Sequence, residues 1–448
     1  MIVFYVVKLN NDLTIRRDCM VWDFVVVGSG IVGLSTAYHL ARLGRGLSIL
    51  VLDKAGGPGA GDTSKSNSAF RAAFTNKLNL MLAKASIDFY EHVQRVEGFD
   101  LGMRFIGYLF AVDKSGLQNI SRGVQVAMSL GVEVEEVPLD KLESGLGMRV
   151  HVSDDEEARL MGFNDIEKAF LFKRAGVLDA DKLVKYYYEK ARELGVQFSF
   201  NAEVKGFIVE PEKPLGIPNE PLPWEDIKVK GVVLSDGTVI RARGKVIAAL
   251  GSSSFKLLNP IGVDSFSRPK KRQLFSIKVK DPELDKLLHA KGFNNEGFSP
   301  FIILPKGFLV RPNPTENAFW VGFSDELNRP FIFEEDPQPE DNFYKYGVLP
   351  VISLYLPQFR NKYYDAAWAG HYDISFDGLP VIYEPYNSNL IVSAGTSGSG
   401  IMKGDSIGRI TASLALGLDE AELFDGSKVK VEWLGLENRH TEKELIIL

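Results

Sequence analysis

The chain has 448 residues, 45% of them hydrophobic, and a net charge of −6 from 52 basic and 58 acidic residues. That length outgrows one small core and fits two or three packed domains, and no basic stripe marks a nucleic-acid surface. No run of roughly twenty apolar residues, the length that spans a bilayer, is present.

Residues 2–7 are apolar but short and lack the basic lead of a secretory signal. With residues 13–15 they predict a hairpin in an N-terminal extension, residues 1–19. Residues 24–27 are wholly apolar, as in a parallel strand covered on both faces. A helix over 32–43 follows, stopped by Gly44 and Gly46, then a second strand over 47–52. Residues 79–96 read as a long helix and 104–112 as a strand. Residues 179–194 form another helix, started by Asp179 or Asp181 and stopped by Gly195. Strands follow at 196–200, 204–209, 228–234, 238–242 and 245–250, with Asp236-Gly237 as a hairpin turn. Residues 211–223 hold five prolines and predict a loop. Residues 261–364 suit an antiparallel sheet. The last unit runs from Leu390 through a glycine cluster into a helix over 406–416.

Three motifs carry chemistry. In Gly28-Ser29-Gly30-Ile31-Val32-Gly33, the first glycine allows a tight turn, the second lets backbone approach a pyrophosphate, and the third lets helix pack on strand. The helix N-terminus offers free N–H groups to phosphate. Asp53, with Lys54 beside it, closes the second strand twenty residues after Gly33, where a carboxylate accepts ribose hydroxyls. An acid there disfavours a 2′-phosphate, which leaves FAD or NAD. The second motif, Gly61-Asp62-Thr63-Ser64-Lys65-Ser66-Asn67-Ser68-Ala69-Phe70-Arg71, is a polar loop ending in an arginine. In the third, Ala394 to Arg409, a glycine-rich loop opens a helix and offers a second array of N–H groups.

The ordered set "VVVGSGIVGLSTAYHLA", "GDTSKSNSAFR", "KVIAALGSSS", "WAGHYDISFDGLPVI" and "LIVSAGTSGSGIMKGDSIG" resembles the D-amino-acid oxidase/sarcosine oxidase superfamily of FAD oxidoreductases. Within it, the chain is most similar to the archaeal dye-linked L-proline dehydrogenases. The resemblance implies an α/β fold: a discontinuous Rossmann-like FAD-binding domain (20–100, 150–260, 365–448) and an α+β substrate domain with a mostly antiparallel sheet (101–149, 261–364). It implies FAD on Gly28, Ser29, Gly30, Ile31, Val32 and Gly33, with Asp53 at the ribose and Lys54 among the cofactor-binding residues. Thr63, Ser64 and Ser66 would line phosphates and flavin, Val204 the adenine, and Gly251 the pocket wall. Gly398, Ser399, Gly400, Ile401, Met402 and Lys403 would face the flavin. Arg71 resembles the arginine that holds a substrate carboxylate, and Tyr372 resembles an active-site tyrosine. Arg311 is a further candidate for the site, and His371 reads as structural.

Two departures stand out. The carboxylate-binding lysine of sarcosine oxidases aligns nearer Met402, so Lys403 is displaced by one and reads either as catalytic or as a loop cap. Where some of those enzymes attach flavin through cysteine, this chain has Gly370. With Cys19 its one thiol, thioether attachment at that site is impossible and FAD is expected to be non-covalent. One cysteine also excludes an internal disulfide, suits a reducing cytoplasm, and with scattered histidines predicts no metal site; peripheral membrane attachment is the alternative location. The expected activity is dehydrogenation of a small amino acid or secondary amine, with L-proline first, and a dye, quinone or protein as electron acceptor. The alternatives are a 2-hydroxy-acid or glycerol-3-phosphate dehydrogenase, and a cofactor-free interaction scaffold.

Overall fold

The computed structural model describes residues 21–439, 442 and 444–446; Cys19 and the expected N-terminal hairpin lie outside them. Strand Val21–Val27 pairs in parallel with Ile49–Leu52 on one side and Val239–Ala248 on the other. Side chains alternate across these strands. Val26, Ile49 and Val51 enter a core with helices Ile31–Leu43, Lys77–Arg95, Ala180–Glu193 and Gly400–Ala415. Val25, Val27, Leu50 and Leu52 pack on the opposite face, which explains why no polar alternation marks the segments. From edge to edge the sheet runs Val381–Tyr383, Leu390–Ala394, Val239–Ala248, Val21–Val27, Ile49–Leu52 and Gln197–Ser199. An antiparallel ribbon, Val204–Pro211 and Ile227–Leu234, hangs from Val239–Ala248. The two strands expected at 238–242 and 245–250 are therefore one. Gly244 marks a bulge where a Cβ would sit 2.6 Å from the Asp23 carbonyl oxygen, and glycine lets the strand pass through it.

The second sheet has eight strands, in the order Ala366–Ser375, Ser267–Lys278, Ala318–Gly322, Leu309–Asn313, Phe301–Ile303, Tyr108–Asp113, Ile166–Phe172 and Val134–Glu136. All its pairs are antiparallel except that of Phe301–Ile303 with Tyr108–Asp113. One face packs on helices Leu139–Leu146, Pro282–Leu288 and Leu349–Tyr355. The other carries Tyr108, Leu274 and Leu309 against the short strand pair Ala69–Arg71 and Ala175–Val177. By alternation with Leu309, Arg311 faces the same way.

Four expectations need correction. Ile166–Phe172 and Ala366–Ser375, inside ranges expected for the FAD-binding domain, pair within the second sheet, because strand partners are chosen by long-range hydrogen bonds that a local pattern does not encode. The strand expected from residue 104 begins at Tyr108, after Gly107 takes a φ of +77°. The last helix starts at Gly400, not 406. Its glycines lower helix propensity, but they let it lie against helix Ile31–Leu43: a Cβ on Gly404 would sit 2.6 Å from Ile31 Cγ1, and one on Gly408 2.6 Å from the Ser35 carbonyl carbon.

Candidate active site

A cleft of about 550 Å³ opens beyond the carboxyl ends of the parallel strands, where open α/β sheets bind ligands. Gly28 has a φ of +106°, and a Cβ there would lie 2.2 Å from the Ala249 carbonyl oxygen. On Gly33 it would lie 1.9 Å from the Gly28 carbonyl oxygen, so neither position admits a side chain. Helix Ile31–Leu43 starts at Gly30 with no side chain of its own capping it, and Thr63 Oγ1 accepts from the Ile31 N–H at 3.2 Å. Asp53 is fixed by three donors: Ser29 N–H at 2.6 Å, Ser29 Oγ at 2.7 Å and Ala55 N–H at 2.8 Å. The glycine turn, the helix N-terminus and the oriented carboxylate thus converge on a cleft within the volume range of ligand sites. They fit a dinucleotide.

The cleft brings together the distant stretches named from sequence. Gly28, Gly30, Ile31 and Val32 line it with Asp53 and Lys54. Thr63, Ser66, Val204 and Gly251 line it too, as do Gly398, Gly400, Ile401 and Tyr372. Ser29 and Gly33 stand behind this surface as supports, and Ser64, Arg71, Ser399, Met402 and Lys403 are not on it. A Cβ on Gly398 would lie 2.4 Å from Tyr372 Cε2, so the glycine loop and the tyrosine ring fit only without a side chain between them. Gly370 lines the cleft beside Lys65 and Asp62.

Behind Tyr372 sits a buried cationic cluster. The Arg71 guanidinium and the Lys403 ammonium both lie over the Phe74 ring, at 4.6 and 4.5 Å from its centroid. Arg71 donates to the Ala73 carbonyl at 2.7 Å and the Ile446 carbonyl at 3.2 Å, while its buried Nε has no partner. Lys403 donates to Asn79 Oδ1 at 2.6 Å. It occupies the first turn of a helix, wholly buried, and is not a loop cap. Burial first, and the charge of Arg71 second, push the Lys403 ammonium down to about 7. Burial likewise lowers Arg71. Arg311 is buried over Trp320 at 4.1 Å with an unpartnered Nε, and burial pushes it down to about 10. Tyr108 feels the charges of both arginines, and burial raises its phenol. Among the described residues none of these three cations forms an ion pair. The nearby Glu444 carboxylate is held by Thr75 and Asn76.

Sequence reading missed a polar brace across the cleft. Asp62 accepts from the His371 backbone N–H at 2.8 Å and from Ser252 Oγ. His371 Nε2 in turn accepts from the Glu334 N–H at 3.2 Å. Asp62, Ser252 and His371 all lay inside recognised motifs, but which of them pair is decided by the packing of segments far apart in the chain. Among the described residues no cluster suits a metal ion, and no helix is long and apolar enough to cross a membrane.

Residues 23–414 match the family model described as FAD dependent oxidoreductase, DAO. The chain belongs to that family. It is therefore an FAD-dependent oxidoreductase, and the cleft is where its residues fit FAD. Sarcosine oxidase subunit beta from Arthrobacter sp is 24% identical, with 90% of this chain and 89% of that protein covered. The FAD-dependent oxidoreductase domain-containing protein 1 of Bos taurus is also 24% identical, covering 88% and 81%. Among solved structures, L-proline dehydrogenase from P. horikoshii superposes with a TM-score of 0.72 at 21% identity, covering 93% of this chain and 96% of that one. Glycine oxidase from Bacillus cereus ATCC 14579 gives 0.66 at 20%, covering 90% and 98%.

Proposed function

We propose that this oxidoreductase dehydrogenates a small amino acid carrying a secondary amine, with L-proline the first candidate substrate. The carrying observation is Arg71: a buried guanidinium with an unpartnered Nε and no ion pair among the described residues, set behind cleft-lining Tyr372 and not itself on the cleft surface. A buried charge without a counter-ion is costly, and a substrate carboxylate removes that cost through a charge-assisted hydrogen bond. The likenesses to sarcosine oxidase and to L-proline dehydrogenase point to the same substrate class.

When bound, FAD supplies the acceptor for the hydride that leaves the carbon beside the substrate nitrogen, and the nitrogen lone pair forms the imine. The chain's own residues hold the substrate. Arg71 fixes the carboxylate and so decides which C–H bond faces the cofactor. Lys403 and Arg71 make the site electropositive, which disfavours a protonated amine and keeps the nitrogen lone pair free. Tyr372 forms the cleft wall, its ring against Gly398 and beneath the Arg272 guanidinium at 5.2 Å.

Anaerobic bleaching of the holoenzyme's flavin absorbance tests this reading. Proline and sarcosine should bleach it, while 2-hydroxy acids and glycerol 3-phosphate should not. Bleaching by hydroxy acids alone would replace the amine reading. A colourless protein that takes up no FAD would favour a scaffold.

A further inference from the structure

Residues 323–340 leave the second sheet after strand Ala318–Gly322 and cross the cleft before the chain turns back at helix Asp341–Phe343. Their root is well anchored. Arg329 holds Glu340 at 2.7 Å and Asp325 at 2.7 Å, Lys271 reaches Glu340 at 3.2 Å, and the Glu340 N–H donates to Gln273 Oε1 at 2.6 Å. Midway, Phe333 stacks on His371 with ring centroids 5.0 Å apart and 16° between planes. The tip is different. Glu335 bridges Lys54, at 2.8 Å, and Lys256, and all three line the cleft. Both lysines belong to the dinucleotide side of the cleft, at the end of strand Ile49–Leu52 and in helix Ser254–Leu258.

We propose that residues 323–340 are a strap that retains FAD, with Glu335 as a latch that ties the second sheet's loop to Lys54 and Lys256 across the cofactor. Geometry assigns the parts. The root residues Arg329 and Lys271 are nearly buried, whereas Lys54, Lys256 and Glu335 are 53%, 39% and 62% exposed. Exposed pairs are weak and screened by salt, so the latch opens far more easily than the root. Opening at the tip uncovers the cleft without unfolding the sheet. The inference rests on FAD occupying the cleft and is independent of the substrate.

FAD release after rapid dilution of holoenzyme, read by free-flavin fluorescence at low and high salt, tests it. Glu335→Gln should release FAD about threefold to tenfold faster at low salt. Salt should speed release in the wild type and do so much less in that variant. Lys256→Gln should behave alike, and the double variant should show less than the product of the two effects. Phe333→Ala should speed release with the salt dependence intact. Wild-type release rates in Glu335→Gln, or fully multiplicative effects in the double variant, would overturn the latch while leaving the amine reading untouched.

Discussion

Arg71 and Asp53 illustrate opposite uses of a charged side chain. Asp53 already has three protein donors, so it is pre-aimed, and its remaining acceptor capacity faces the cleft. Asp53→Ala should weaken FAD binding about ten- to a hundredfold, the scale of a charge-assisted hydrogen bond; titration of apoprotein with FAD measures it. Arg71 is held by two carbonyls and an aromatic ring but lacks an ion pair among the described residues. Arg71→Ala should lower kcat/KM for proline by at least about tenfold, with FAD retained and pyrrolidine turnover much less affected. Equal losses for proline and pyrrolidine would assign the arginine to the fold. Lys403 adds a pH signature. With its ammonium down at about 7 rather than 10.5, it loses its charge as pH rises through neutrality. Tetrahydrofuran-2-carboxylate, a proline analogue without the amine, should therefore bind more weakly above about pH 7, and Lys403→Met should abolish that dependence. In the unliganded protein the unfolded chain carries the extra proton between about 7 and 10.5, so this group makes stability rise with pH across that window.

At the scale of elements, the helix Gly400–Ala415 shows packing overriding propensity. Alanine at Gly408 would gain about 1 kcal/mol of helix propensity. Its Cβ, however, would sit 2.6 Å from backbone and 2.7 Å from Ser35 Cβ, and overpacking typically costs about 1–3 kcal/mol. Gly408→Ala should lower the melting temperature and loosen FAD binding, because this helix carries Gly400 and Ile401 into the cleft. An unchanged melting temperature would show that the two helices separate freely. The glycine cluster was visible as a motif, but its helical state was not, since glycines spaced four apart read locally as loop and become helix only when a second helix fills the space they leave.

For the whole molecule, the cleft lies where both sheets contribute: the first brings Gly28, Asp53 and Gly251, the second Arg272, Gln273 and Tyr372. Ligand binding there should stabilise the assembly by mass action, about 2.7 kcal/mol at a free FAD concentration one hundred times Kd. The melting temperature should accordingly rise with added FAD. Acid precipitation should leave the flavin in the supernatant, because Gly370 offers no thiol; flavin retained in the pellet would show a covalent link elsewhere.

The dinucleotide turn, its strand and helix, the acid at the second strand's end and the second glycine array were all legible from the sequence. Each depends on steric freedom or periodicity within a few residues, which composition and spacing record directly. The meeting of Arg71 and Lys403 over Phe74, the sheet membership of Ile166–Phe172 and Ala366–Ser375, and the reach of Glu335 to Lys54 and Lys256 were not. Those contacts join residues far apart in the chain, and no local pattern encodes a partner: hydrogen bonding between distant strands and the burial of unpaired charge settle it only once the sheets have packed.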